Sequence, residues 1–132
     1  MTLKVELKPN ERVIIGTSVV RNGESRARLF IEGSAPILRE KDILTAQTAD
    51  TPAKRIYLAV QLMYLAGSIN DHHPIYFDLV REFLAAAPSA LAIVAEVNAK
   101  IMAGDLYKAL RAARQLVVYE AELVQRAKEV AA

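Results

Sequence analysis

At Thr51 the spacing of apolar residues changes from two to between three and four, so the chain must build extended structure before the break and helix after it. Upstream, Leu3-Lys4-Val5-Glu6-Leu7-Lys8 alternates strictly between apolar and charged side chains, the period of a half-buried strand. Pro9-Asn10 supplies a turn, because proline fixes φ and asparagine tolerates left-handed geometry. Val13-Ile14-Ile15 is β-branched throughout, ends at Gly16 and reads as a more buried strand, with Ser18-Val19-Val20 as a third. Asn22-Gly23 is the strongest short hairpin signal, and Arg26 to Ile31 is the strand it is expected to return. A short extended piece, Ala35 to Arg39, precedes a polar link from Thr45 to Asp50.

Downstream, Thr51-Pro52 reads as an N-cap followed by proline at the first helical position, and Gly67 as a C-terminal stop. Ile56, Val60, Met63 and Tyr64 recur at helical spacing between them. A polar loop from Ser68 to His73 leads to a second helix over 74–87, with Phe77, Val80, Phe83 and Leu84 on its apolar face. Pro88-Ser89 breaks and recaps the chain for a third helix that ends at Gly104, and Asp105 is a good N-cap for a fourth. That last helix carries an apolar stripe through Leu106, Leu110, Ala113, Val117, Leu123 and Val124, with Glu120 lying in it. The expected fold class is therefore α+β. A β-rich region over residues 1–48, a small antiparallel sheet, is followed by about four α-helices over 49–132 packed on it. About fifty residues of strand scarcely bury a core alone, so the sheet needs the helices or a second chain.

Composition narrows the function classes. Apolar residues make up 53% of the chain and charged ones 24%, enough for a packed core. No run approaches the roughly 18 apolar residues of a membrane-spanning helix, and MTLKVELKPNER lacks an apolar secretory segment. A cytoplasmic protein without membrane contact is expected. The absence of cysteine excludes disulfides, thiol nucleophiles and cysteine-based metal sites. The charge is balanced: eight basic and seven acidic residues up to Asp50, nine and eight after it. A nucleic-acid surface must therefore come from where the cations sit, not from their number.

Catalytic signals are weak. The glycines are isolated at turns and helix ends, so no phosphate loop exists. His72-His73 has no second ligand cluster at metal spacing and reads as a solvated loop. Glu40 with Asp42, and Glu120 with Glu122, lack the apolar surroundings that raise a carboxyl pKa, and read as solvated pairs. No catalytic, cofactor or metal site is expected. The cations say more. Arg26 and Arg28 alternate with Ala27 and Leu29 on one strand face, Lys4 and Lys8 share a face of the first strand, and Arg39-Glu40-Lys41 follows the last extended piece. Guanidinium groups bind phosphate bidentately and stack on bases, which suits single-stranded RNA, whereas a solvated face with Arg–Glu pairs is the plainer alternative. Lys108, Arg111 and Arg114 form a second basic group on the last helix and read as an ordinary solvated face. Tyr57, Tyr64, Tyr107 and Tyr119 read as core or interface anchors, and Phe30 is the sole aromatic expected on the sheet.

The runs LKVELKPNERVIIG, ARLFIEGSAPILREKDIL, ADTPAKRIYLAVQLMYLAG and GDLYKALRAARQLVVYEAELV, in this order across nearly the whole chain, resemble the FlbT family of flagellar post-transcriptional regulators. The resemblance implies association with the 5′ untranslated region of flagellin mRNA. It further implies that translation is usually repressed, and the message destabilised, while the hook is incomplete; in some members the effect on flagellin expression is positive. Over the first 45 residues, Lys8-Pro9-Asn10-Glu11 with Ile15-Gly16, then Ala27-Arg28-Leu29, Ala35-Pro36 and Arg39-Glu40, also resemble the carbon storage regulator CsrA. That second resemblance implies an interlocked homodimer whose RNA surface joins the first strand to the partner's last. Its motif carries over to Lys4, Lys8, Arg39 and Glu40. Leu7 stands where a second consecutive basic residue is expected, and the last strand is about four residues shorter. The RNA-contact set expected is thus Lys4, Lys8, Arg26, Arg28, Arg39 and Glu40, on a non-enzymatic homodimer that binds a flagellin mRNA leader. The rival expectation is a helical adaptor that binds flagellin or an accessory flagellar regulator and affects RNA indirectly.

Overall fold

The computed structural model describes residues 2–131 and divides after Ile43 into a strand unit and a helical unit. The strand unit contains β1 (Thr2–Leu7), β2 (Arg12–Ile15), β3 (Ser18–Arg21), β4 (Ala27–Glu32) and β5 (Ile37–Arg39). The helical unit contains α1 (Pro52–Ala66), α2 (His73–Ala86), α3 (Leu91–Met102) and α4 (Leu106–Ala131). The α+β class and the order of strands before helices are as the spacing predicts.

The strands pair differently from the expected hairpin. β1 and β4 form an antiparallel ribbon, and β3-β2-β5 form a separate antiparallel sheet. Val5, Leu7 and Val13 are buried in the cluster these strands share, with Ile15, Val20, Leu29, Ile31 and Ile37 packed against them. The tight hairpin is β2–β3, closed by Gly16-Thr17 with Gly16 at φ +63°. Asn22-Gly23 instead links β3 to β4 across the two sheets, and neither residue takes the positive φ of a two-residue hairpin turn. The reason is the Asn22 side chain. Its Nδ2 donates to the carbonyls of Lys8 at 2.8 Å and Ser25 at 2.9 Å, so it splints the crossing to the end of β1. Asn10, at φ 64°, takes the left-handed turn expected of it.

The helix ends follow their local chemistry. Thr51 Oγ1 accepts from the Lys54 amide at 3.2 Å, Gly67 closes α1 at φ 67°, and Asp105 Oδ1 accepts from the Lys108 amide at 3.2 Å. α1 is capped a second time from afar: Glu120 Oε2 accepts from the Ala53 amide at 2.9 Å. Glu120 is therefore not a solvated carboxylate but the anion at a helix N-terminus, where it meets an amide with no partner inside the helix. With Tyr64 against Tyr107 at 5.7 Å, this contact shows that α1 and α4 run antiparallel. Tyr119 donates to Ser89 Oγ at 2.6 Å, placing α3 antiparallel along the other side of α4.

Two polar groups in the helical core were not legible in the spacing. Gln61, 3% exposed, holds both backbone groups of Leu44, accepting from its amide and donating to its carbonyl at 2.9 Å each. Tyr76 takes the buried place on α2 expected of Phe77, which is 40% exposed. Its hydroxyl donates to Asn98 Oδ1 at 2.5 Å. His73 is also displaced from its expected loop: it opens α2 with its ring edge-on to Phe77 at 4.3 Å, because residues four apart meet on a helix. Past Glu120, α4 continues for 11 residues to Ala131 with none buried. No described helix is long and apolar enough to cross a membrane.

Two outcomes follow from these contacts. Glu120→Ala should lower stability by about 1 kcal/mol, the usual worth of an N-cap, as read by chemical denaturation. Burial raises the Tyr76 hydroxyl well above its ordinary pKa of 10.0. Above pH 10 the unfolded chain releases a proton that the folded chain keeps, so stability is lost as pH rises beyond that point. Melting from pH 9 to 11 should fall more steeply in the wild type than in Tyr76→Phe, a variant itself weakened by about 1–3 kcal/mol through the unpaired Asn98. Equal slopes would place the hydroxyl outside the core.

Candidate nucleic-acid interface

The antiparallel register of β1 and β4 places Glu6 opposite Arg28 and Lys4 opposite Phe30. These residues face away from Val5, Leu7, Leu29 and Ile31, which point to the core, because strand side chains alternate in direction. Glu6 lies between two cations, 3.3 Å from Arg28 Nη2 and 3.8 Å from Lys4 Nζ. Phe30 is 64% exposed beside them. An exposed ring flanked by Lys4 and Arg28 is a stacking surface with cations at its edge, a combination visible in the sequence only as a lone aromatic at strand period.

Where β1 ends, β4 begins and β5 ends, a cleft of ≈ 450 Å³ opens, lined by Glu6, Leu7, Lys8, Arg26, Ala27, Arg28 and Arg39. Four cations and one carboxylate thus share one concavity, although the strand unit holds eight basic and six acidic residues up to Ile43. Chain order supplies these residues from three separate segments, and pairing converges them. Arg26 lies just before β4, not within it, yet both it and Arg28 reach the cleft.

Arg39 is the brace of this site. β5 pairs with β2, setting Arg39 opposite Val13. From there its Nη2 crosses to the other sheet and donates to the Glu6 carbonyl at 2.9 Å, with Glu11 Oε2 at 3.8 Å. Glu11 also accepts from the Lys8 amide at 2.8 Å, which fixes the turn after β1. The side chains of Arg26 and Lys8 make no ion pair among the described residues, so the two ends of the cleft differ: Arg39 is committed to structure, while Arg26 and Lys8 are available to an anion.

Of the six expected contacts, Lys8, Arg26, Arg28 and Arg39 come together at the cleft. Lys4 lies outside it on the ribbon face, paired with Glu6. Glu40 lies outside it too, exposed on the single 3-10 turn Glu40–Asp42 that follows β5. On α4, Lys108 pairs with Asp105 at 3.6 Å, in keeping with a solvated helix face. Among the described residues no group of three or more His, Cys, Asp or Glu side chains is positioned to hold a metal ion.

The model of the family described as flagellar protein FlbT matches residues 3–124. A probable flagellum biosynthesis repressor protein of Bradyrhizobium diazoefficiens is 55% identical over 124 residues, covering 93% of this chain and 85% of that one. Its counterpart in Rhodopseudomonas palustris is 50% identical over 126 residues, covering 96% of this chain and all of the other. The flagellum biosynthesis repressor protein of Caulobacter vibrioides is 35% identical over 125 residues, covering 92% and 89%. No solved structure matches.

The cations of the site carry unequal structural weight, which stability measurements can read separately. Arg39→Ala should cost about 1 kcal/mol or more, because a charged hydrogen bond between the two sheets is lost. Arg26→Ala, exposed and without an ion pair, should stay within about 0.5 kcal/mol of the wild type. Chemical denaturation of the two single variants checks the difference.

Proposed function

The chain belongs to the FlbT family of flagellar proteins, and on that premise we propose that it is a non-enzymatic, post-transcriptional repressor of flagellin synthesis whose basic cleft holds the 5′ untranslated region of flagellin mRNA. The flagellar repressor role comes from the relatives' names. The observation that supports RNA as the ligand is the convergence of Lys8, Arg26, Arg28 and Arg39 on one cleft. Guanidinium groups at such a site take phosphates bidentately, and Phe30 with Lys4 offers a neighbouring base a face to stack on. Occupancy close to a ribosome-binding site then blocks initiation and leaves the message open to nucleases. The reading places the protein in the cytoplasm, where its messenger is.

A homodimer belongs to the same proposal. β1, β4, β3 and β5 each present one edge unpaired by any other described strand, and such edges readily accept strands of another copy. A second reading, an adaptor for flagellin or an accessory flagellar regulator, is favoured by one feature. The end of α4 carries Leu123, Val124 and Val130 with no buried residue past Leu116, a stripe able to seat against an amphipathic helix.

The deciding experiment is a gel shift of the full chain with its flagellin leader at two salt concentrations, with an unrelated leader as competitor. Three phosphate contacts to a single strand, from Lys8, Arg26 and Arg28, give a slope of log affinity against log salt of about −2.1, and Arg26→Ala/Arg28→Ala should bring it to about −0.7 with melting unchanged. Unaltered affinity in that double variant removes the cleft from contention. Loss of specific binding in the wild type itself, with flagellin retained after nuclease treatment, selects the adaptor.

A further inference from the structure

Arg12 and Arg21 are register partners on β2 and β3, so they stand directly opposite one another on the same face of the three-stranded sheet. Both are exposed, and neither makes an ion pair among the described residues. Like charges directly opposite in an antiparallel pair repel and weaken the sheet, since their Cβ atoms stand only about 5 Å apart. The face they share is the one opposite Val13 and Val20, which point to the core.

The position of the pair relates it to the cleft. Arg12 follows Glu11, whose carboxylate holds the Lys8 amide and faces Arg39. Arg21 precedes Asn22, whose Nδ2 donates to the Lys8 carbonyl at 2.8 Å. Both arginines are thus next in sequence to residues that bond Lys8, a lining residue of the cleft, and they lie at the end of their sheet where Val13 meets Arg39. Two guanidinium groups carried at directly opposed positions of one sheet face offer N–H forks that match the oxygens of a phosphate, and their repulsion is relieved when one is bound.

We infer that Arg12 and Arg21 form a phosphate clamp that grips a phosphodiester of the RNA chain where it leaves the cleft over the Lys8–Glu11 turn. The inference rests on the RNA reading above, and extends the binding surface to the β2–β3 hairpin. The clamp is blind to sequence, because phosphate contacts position a nucleic acid without reading its bases. It adds affinity for every RNA to whatever selectivity the cleft provides.

Two measurements test it. In a salt series with the flagellin leader, Arg12→Gln/Arg21→Gln should lower the slope by about 0.7, the share of one phosphate, and weaken related and unrelated RNAs alike. An unchanged slope in that variant, while Arg26→Ala/Arg28→Ala loses binding, overturns the clamp and leaves the cleft standing. A wild-type chain that binds no RNA overturns both. The second measurement needs no RNA. Arg21→Glu turns the opposed charges into an ion pair and should raise the melting temperature in dilute chloride by roughly 1–4 °C. Inorganic phosphate at matched ionic strength should raise the melting temperature of the wild type and not of Arg21→Glu. Equal melting of the two proteins in both salts means that the arginines neither repel nor gather an anion, and ends the proposal.

Discussion

The hydrogen bond from Arg39 to the Glu6 carbonyl holds the strand unit to a single arrangement. The two sheets share no ladder, so side chains, the apolar cluster around Val5, Leu7 and Val13 and the bond from the Asn10 amide to the Gly23 carbonyl at 2.9 Å between the connecting turns join them. A cluster with so few fully buried members gives limited resistance to sliding, since non-directional contacts tolerate small shifts. A charged donor on β5 bonded to a main-chain acceptor on β1 is directional and fixes their relative position. Glu11 completes the brace by accepting from Lys8 and facing Arg39, which keeps the turn after β1 at the cleft's edge.

This arrangement divides labour among residues of one chemical type. Arg39 is bound up in structure, Arg28 shares Glu6 with Lys4, and Arg26 and Lys8 face solvent without ion pairs. Exposed pairs such as Arg28–Glu6 hold weakly, because water screens them and long side chains lose entropy in pairing. A phosphate competes easily with such a partner. The site is thus stable without ligand through its brace and open to an anion through its loosely held members. Concentrating like charge also carries a stability cost, which the apolar cluster and the brace offset.

In the helical unit the comparable role falls to contacts between residues far apart in sequence. Glu120 ends the exposed amides of α1 from 67 residues away, and Gln61 holds the backbone of Leu44 by both of its hydrogen-bonding groups. Tyr76 and Asn98 join α2 to α3 inside the core. Each is a buried or half-buried polar group with its partner in place, which makes one packing of the helices better than its neighbours. Past Glu120 such contacts cease, and α4 runs on without burying a residue.

Local chemistry was legible in the sequence: the break at Thr51, the turn at Asn10 and the caps at Thr51, Gly67 and Asp105 all follow from neighbours within a few residues. So was the family, whose runs span the chain. Pairing was not. Asn22-Gly23 has the composition of a hairpin turn, yet the Asn22 side chain bonds the carbonyls of Lys8, just past β1, and Ser25, and the chain crosses to the other sheet. Glu120 and Glu122 look alike in sequence, but only the fold brings one of them to a bare helix end. Periodicity could not choose between Tyr76 and Phe77, one residue apart on a helix, because the deciding term is an Asn98 acceptor 22 residues away. Nor could it show that Arg12 meets Arg21, which depends on a register that only the closed hairpin sets. Backbone conformation answers to nearest neighbours, whereas a partner for a charge or a hydrogen bond is whatever the tertiary structure carries within reach.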